Sequence, residues 1–427
     1  MSKGLNKAVR IVAILLAQGV LVYGHFVGHN IITFLAFIVF FTIFLILSHL
    51  YYKLMSLEKR ADAKSYLRQR NMDRMSGKWV KFKENGAKYA NAAHPFSRDL
   101  DLFGEGSLFQ YLNDTKTFYG EEILKILFLT EKRDKTAILR RQTAIKELAE
   151  NHNFCESLKV EAIISPNISQ NPEEMVNFFE SSNSLFSEPT IKFLVRMLPI
   201  ITILLVILNF IVGFNNALMI VTGFTIISQV LVFVSLSDKT EAVLKELSKF
   251  KGSLDDFGII ISLIKEAEFK AELNQTWQNK LPTKWCLKKI TWALNIRNIT
   301  ILDLLLNILF LWDIHCVCIL ENMRTKGAKN MRNWLEAIGY FESMASMAVL
   351  QMLHPNWVYM EFSEELTIEA QNIGHPLIEE QNRITNDFQL NGIAIISGSN
   401  MSGKTTFLRT IGINLILGYM GAPVCAT

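Results

Sequence analysis

Residues able to do phosphate chemistry are gathered in one run of the chain, Gly398-Ser399-Asn400-Met401-Ser402-Gly403-Lys404-Thr405-Thr406. Glycines at its two ends let backbone N–H groups close around phosphate oxygens. The lysine supplies a cation, and the hydroxyl after it is a ligand of the kind Mg²⁺ accepts. This is the spacing of a nucleotide-binding loop. In this reading the loop from Gly398 through Ser399, Asn400, Met401 and Ser402 to Gly403 cradles ATP, and Lys404 reaches the β and γ phosphates. Thr405 holds Mg²⁺ and Thr406 assists it. The flanks agree in kind: Ile393 to Ser397 is a short β-rich run suited to a buried strand, and Phe407, Leu408, Ile411, Leu415 and Ile416 recur at helical spacing. A helix starting there would turn the positive end of its dipole toward the phosphates. Hydrolysis asks for more, because a carboxylate pair on a later strand must hold the metal and position water. No acidic residue follows Asp387. No catalytic residue is therefore assigned, and the expectation is a chain that ends inside its nucleotide domain, binding nucleotide without hydrolysing it.

The elements that position this loop begin with an apolar composition. The chain has 427 residues, of which 50% are hydrophobic, and a mean hydropathy of +0.22, so membrane segments are expected. Apolar stretches at 11–27 and 31–52 form one pair, and 197–214 and 217–236 form a second. A cleaved signal peptide would explain the first stretch alone, but not the one that follows it. Lys3, Lys7, Arg10, Lys53, Lys59 and Arg60 bracket the first pair, and Lys192, Arg196 and Lys239 the second. Neither connecting loop has a Lys or Arg, so both hairpins should dip out of the cytosol and return, leaving both termini cytoplasmic. The stretch 299–320 is apolar enough for a fifth span but contains Asp303, Asp313 and His315. Charges at membrane depth are costly, and an odd number of spans would part the loop from cytosolic ATP; it is read as a buried helix of a soluble core.

The fold class is accordingly mainly α with two transmembrane helical hairpins, plus the start of an incomplete α/β P-loop NTPase domain. The divisions are a first hairpin at 1–52, a cytosolic helical segment at 53–196, a second hairpin at 197–236, helical lever and connector at 237–355, and the nucleotide domain at 356–427. Within these, 56–91 reads as a charged exposed helix, 238–280 as one or two long amphipathic helices, and 331–353 as a helix that stops before Pro355. The basic residues between Lys53 and Lys88 fit contact with acidic lipid, or with DNA. Five cysteines without zinc spacing are read as reduced and structural.

The loop, with Asn400-Met401 inside it and Phe407-Leu408-Arg409 after it, resembles that of the MutS family of DNA mismatch repair ATPases. Gly374-His375-Pro376-Leu377-Ile378 is similar to the His-Pro element at the start of that family's ATPase domain, and Asn386-Asp387 to its polar turn before the P-loop strand. Trp334 to Pro355, with Glu342-Ser343-Met344-Ala345-Ser346-Met347-Ala348, resembles the helix joining core to ATPase. Asp101-Leu102-Phe103-Gly104, Ser107-Leu108-Phe109, Thr115-x-Thr117-x-x-Gly120 and Arg141-Gln142-x-Ala144-Ile145-x-Glu147-Leu148 resemble its helical core. The resemblance implies ATP and Mg²⁺ as cofactors, Asn400 as a nucleotide sensor and His375 as a candidate nucleotide contact. It also implies double-stranded DNA as a partner, and a homodimer where the ATPase domain is complete. The mismatch reader's Phe-x-Glu domain has no counterpart, since membrane segments occupy that end. A transport-type ATPase is a rival reading, with His25, His29 and His49 as the nearest ionisable groups to a pathway. A second rival is a non-enzymatic membrane protein that holds lipid or a partner through the basic segment.

Overall fold

The computed structural model describes residues 12, 15, 16, 18, 19, 31–91, 94–131, 134–181, 184–213, 215–282, 287–297, 300–327, 330–365, 367–397, 399 and 403–427. It is 72% helical with few strands. Two units divide it, Met1–Arg70 and Asn71–Thr427, and the boundary falls inside the first long helix, α1 (Ile31–Met75). In the first unit, α1 presents Leu35, Val39, Leu45 and Ile46 to the surroundings, each about half exposed, an arrangement compatible with membrane association. Most of 11–27 lies outside the described residues, so the first arm of the expected first hairpin lies there too. The basic run after Tyr52 continues α1 as a helix, but Arg74 at its end is buried rather than displayed.

The second unit starts with α2 (Leu108–Leu112), α3 (Phe118–Leu129), α4 (Lys135–Glu150) and α5 (His152–Ile164). Each begins where a polar side chain can accept a backbone N–H of the first turn: Ser107 from Gln110, Thr117 from Gly120, Asp134 from Thr136 and Asn151 from Phe154. After α6 (Glu173–Glu180) and α7 (Ser184–Ser187) come α8 (Pro189–Val212) and α9 (Asn216–Glu266), which pack together as a hairpin. Asn215 caps α9 through its side chain. Between the two arms Thr202 Oγ1 donates to Gln229 Oε1 at 2.9 Å and Asn209 Nδ2 to Thr222 Oγ1 at 2.9 Å. Such pairs satisfy polar groups that hydrocarbon cannot.

Three helices, α1, α8 and α9, are long and apolar enough to cross a membrane. The last does not stop at the expected boundary near 236. Its 51 residues continue to Glu266, about 77 Å at the helical rise, and its later half buries Leu244, Leu247, Leu254, Phe257 and Ile261 in the core. The expected amphipathic helices of 238–280 are thus the end of α9 plus α10 (Glu272–Lys280).

The stretch 299–320 also differs from expectation. After α11 (Leu287–Ile296) it forms α12 (Thr300–Phe310) and α13 (Trp312–Gly327), bent by 73° at Leu311. Only α13 is buried as foreseen. The helix α14 (Met331–Leu353) ends before Pro355 and is the centre of the unit, packing against α3, α4, α5 and α10. Gly339 permits its approach to α3: a Cβ there would stand 2.5 Å from the Tyr119 carbonyl carbon.

Strands are short. β1 (Val358–Tyr359) pairs antiparallel with β4 (Pro423–Val424), and β2 (Thr367–Ile373) with β3 (Asn386–Asn391), around the helix α15 (Lys404–Met420). Asn386-Asp387, read as a turn, opens β3; Asp387 Oδ1 accepts the N–H of Asn372, which has φ +48° beside an irregularity in the β2–β3 register. The expected buried strand at 393–397 does not form. Ile393 is 94% and Ile395 91% exposed. A P-loop strand is held by parallel neighbours on both edges, and among the described residues no strand offers that pairing.

Candidate nucleotide-binding site

The loop's chemistry converges on the start of α15. Gly403 sits before the first helical residue at φ +83°, the left-handed region that glycine enters without strain, with no atom within 4 Å of where a Cβ would stand. Lys404 is the first residue of α15, and its Nζ donates to Ser399 O at 2.6 Å. Thr405 and Thr406 follow, both exposed in the first turn, where backbone N–H groups lack intrahelical acceptors. Gly398, Asn400, Met401 and Ser402 lie outside the described residues. Within the described residues the start of α15 thus gathers an ammonium held on Ser399 O and two exposed hydroxyls at a helix N-terminus, donors of the kind that suit polyphosphate with a hard cation. Lys404 and the helix N-terminus would hold the phosphates and Thr405 the Mg²⁺.

The expectation for His375 divides. Its Nδ1 accepts the N–H of Leu377 at 3.3 Å, so that nitrogen is engaged in the Gly374-His375-Pro376 turn. Burial, then the guanidinium groups of Arg383 and Arg409, push its pKa down to about 4. It is a neutral turn residue close to α15 through Arg409, and no hydrogen bond links it to the described part of the loop. Arg383 secures the same turn, donating from Nε to His375 O at 3.0 Å and from Nη2 to Ile378 O at 2.7 Å.

What holds α15 in place was not assigned a role from sequence. Asn414, 4% exposed, donates from Nδ2 to Gly374 O at 2.9 Å and accepts at Oδ1 the Cys425 N–H at 2.7 Å. Gly374 N in turn donates to Cys425 O at 2.9 Å, so one amide ties the helix, the His-Pro turn and the chain after β4. At the helix C-terminus Arg141 Nε donates to Met420 O at 3.0 Å and Nη2 to Tyr419 O at 2.8 Å, placing a cation where the helix dipole is negative. Toward the other end Arg409 pairs with Asp101 and donates to Asp99 O, while Leu100 fills the space beside Gly412. Phe407 meets Phe388 of β3 edge-on, 5.6 Å between ring centres. Arg141, part of a core motif, is a clamp between core and α15. Its i, i+1 neighbour Gln142 adds a bond from Nε2 to Met360 O at 2.8 Å.

The core motifs likewise form one joint. Glu342 on α14 is 4% exposed and accepts the N–H groups of Lys116 at 3.1 Å and Thr117 at 3.0 Å, with the Thr117 hydroxyl as a further donor. Burial raises its pKa while those bonds pull it back down. Ser343 Oγ donates to Gly120 O at 2.8 Å and Ser346 Oγ bridges Glu342 O and Asp114 N. Asp114 is itself enclosed with Arg74 and Lys159. The threonine-glycine motif and the connector helix, far apart in sequence, are thus the two halves of a single contact. The apolar spacing located α14, but nothing in the sequence revealed that it meets the threonine-glycine motif.

No family model matches the chain. Among curated proteins, the DNA mismatch repair protein MutS of Staphylococcus haemolyticus (strain JCSC1435) is 32% identical over 111 residues, covering 24% of this chain and 12% of that protein. The chain thus spans only a small part of the relative it resembles, and the likeness amounts to a partial relationship with MutS.

Proposed function

We propose that the chain belongs to a membrane-anchored, MutS-like ATP-binding protein that couples nucleotide binding to DNA. The observation that carries the reading is the glycine loop running into α15 with Lys404 first in the helix and its ammonium folded onto Ser399 O. Phosphate oxygens are better acceptors for an ammonium than a backbone carbonyl, so nucleotide would draw Lys404 off Ser399 and settle against the helix N-terminus. The Mg²⁺ held at Thr405 would supply charge neutralisation of the phosphates. Movement of α15 would be felt in the core through Arg409–Asp101 at one end and Arg141 at the other. The partial likeness to MutS supports duplex DNA as the partner, and α1, α8 and α9 support anchoring in a bilayer.

The test is binding of a fluorescent ATP analogue to the full chain in detergent or bilayer, comparing wild type with Lys404→Ala. The expected outcome is loss of measurable binding at unchanged helical circular dichroism. Equal binding by the variant overturns the proposal. Competition between duplex DNA and anionic vesicles then separates a DNA partner from simple attraction to anionic surfaces, since both weaken with salt.

A further inference from the structure

The helix α12 is inside out. Its polar residues turn toward the protein: Asn307 is 1% exposed, donates from Nδ2 to Asp303 Oδ1 at 3.1 Å, and accepts the Asp313 N–H at 2.9 Å. Asp313 in turn pairs with Arg297 at 3.1 Å. The leucines point the other way, with Leu304 54%, Leu305 50% and Leu309 44% exposed and Leu302 and Phe310 also open. A surface helix in water has the opposite arrangement. The outward side of α12 is therefore matched to an apolar surrounding.

Three further observations identify that surrounding. First, α12 packs against α8 and α9, the hairpin whose own outer leucines, isoleucines and phenylalanines are equally exposed, so the apolar surface is continuous with the anchor. Second, α12 has 11 residues, about 16 Å at the helical rise, against a hydrocarbon core of about 30 Å, and so cannot cross alone. Nor can it cross jointly with α13, because Ile314, Val317 and Leu320 of that helix are fully buried in the core and the 73° bend, made at Leu311 with φ +50°, turns the two apart. Third, Trp292 on the neighbouring α11 is 58% exposed and meets Trp312 edge-on, an aromatic pair of the kind that settles at headgroup level.

We propose that α12 is an interfacial helix, lying in the acyl–headgroup boundary of the leaflet next to the helical core, with Leu302, Leu305 and Leu309 in lipid and Asp303 and Asn307 held by protein. This inference rests on α8 and α9 spanning a bilayer. It gives the core a second attachment to the membrane, lateral to the hairpin, so that the core would be fixed in orientation and not merely tethered.

The experiment is nitroxide labelling of the full chain in phosphatidylcholine–phosphatidylglycerol bilayers, with native cysteines replaced by alanine and single cysteines placed at Leu305, Leu309, Leu231 of α9 and Thr143 of α4. Collision with oxygen reports lipid, and collision with a nickel chelate reports water. Labels at 305 and 309 should match 231: high oxygen collision and a loss of nickel collision relative to 143. Labels at 305 that match 143 overturn the proposal, and so do labels shielded from both reagents, which would mean that protein covers the face. A water-like signal at 231 itself would instead sink the spanning hairpin. Should the cysteine-free chain not fold, a diazirine lipid applied to the native chain replaces it. Adducts on residues 300–310 are expected, and adducts on the hairpin without any on 300–310 overturn the proposal.

Discussion

Asn414 shows how much a single side chain can hold. Both ends of its amide are used, on Gly374 O and on the Cys425 N–H, and both partners are enclosed. Asn414→Leu keeps the volume but strands a buried carbonyl and a buried N–H, at about 1–3 kcal/mol for each unsatisfied group. Thermal unfolding in detergent should show a clearly less stable α15 region, and a midpoint within error of wild type would contradict the assignment. Asparagine in an apolar helix gave a sequence reader no reason to single it out, since the residues it joins are 40 and 11 positions away. The loop around Lys404 could be read from sequence because its spacing is local, and a partner of the ammonium, Ser399 O, is five residues away.

Helices were legible where their signals are local as well. The apolar spacing and the proline after it placed α14, and caps at Ser107, Thr117, Asp134 and Asn151 lie where helix-starting residues belong. How closely two helices approach is another matter. α3 and α14 meet backbone to backbone at Gly339, where an added Cβ would also stand 2.7 Å from Gly120 N. Gly339→Ala, normally neutral or favourable in a helix interior, should here cost about 1–3 kcal/mol by overpacking. A more stable variant in the same unfolding assay would show that the helices can part without loss. The expected strand at 393–397 failed for the same non-local reason: a parallel strand depends on neighbours, and its own residues cannot supply them.

For the whole molecule, proton linkage gives a stability profile. His354, packed on Trp357 and bonded to Tyr111 Oη at 3.1 Å, and His375 in its turn both have pKa values lowered from 6.5 to about 4, by burial first and then by Arg383. A folded pKa below the unfolded one means that the unfolded chain binds more protons across this window. Their contribution is therefore complete above 6.5 and is lost as pH falls toward 4. Glu342, whose pKa is raised by burial, runs the opposite way, its contribution fading as pH rises through its folded value. Denaturant midpoints should fall with acidification in wild type and fall less steeply in His354→Gln/His375→Gln. Equal slopes in the two proteins would remove histidine as the cause.

By itself the sequence determined the long apolar helices and the mainly helical class, because each depends on residues within a turn or two of one another. Only the tertiary structure decided that α9 runs unbroken from its apolar half into the core, that Arg141 and Arg409 clamp α15, that Glu342 receives the Thr117 turn, and that 299–320 breaks into a buried helix and one with its leucines outward. These depend on which surfaces meet. Hydrophobic periodicity reports that a face will be covered, but not whether the cover is protein or lipid, nor which polar group is waiting on the other side.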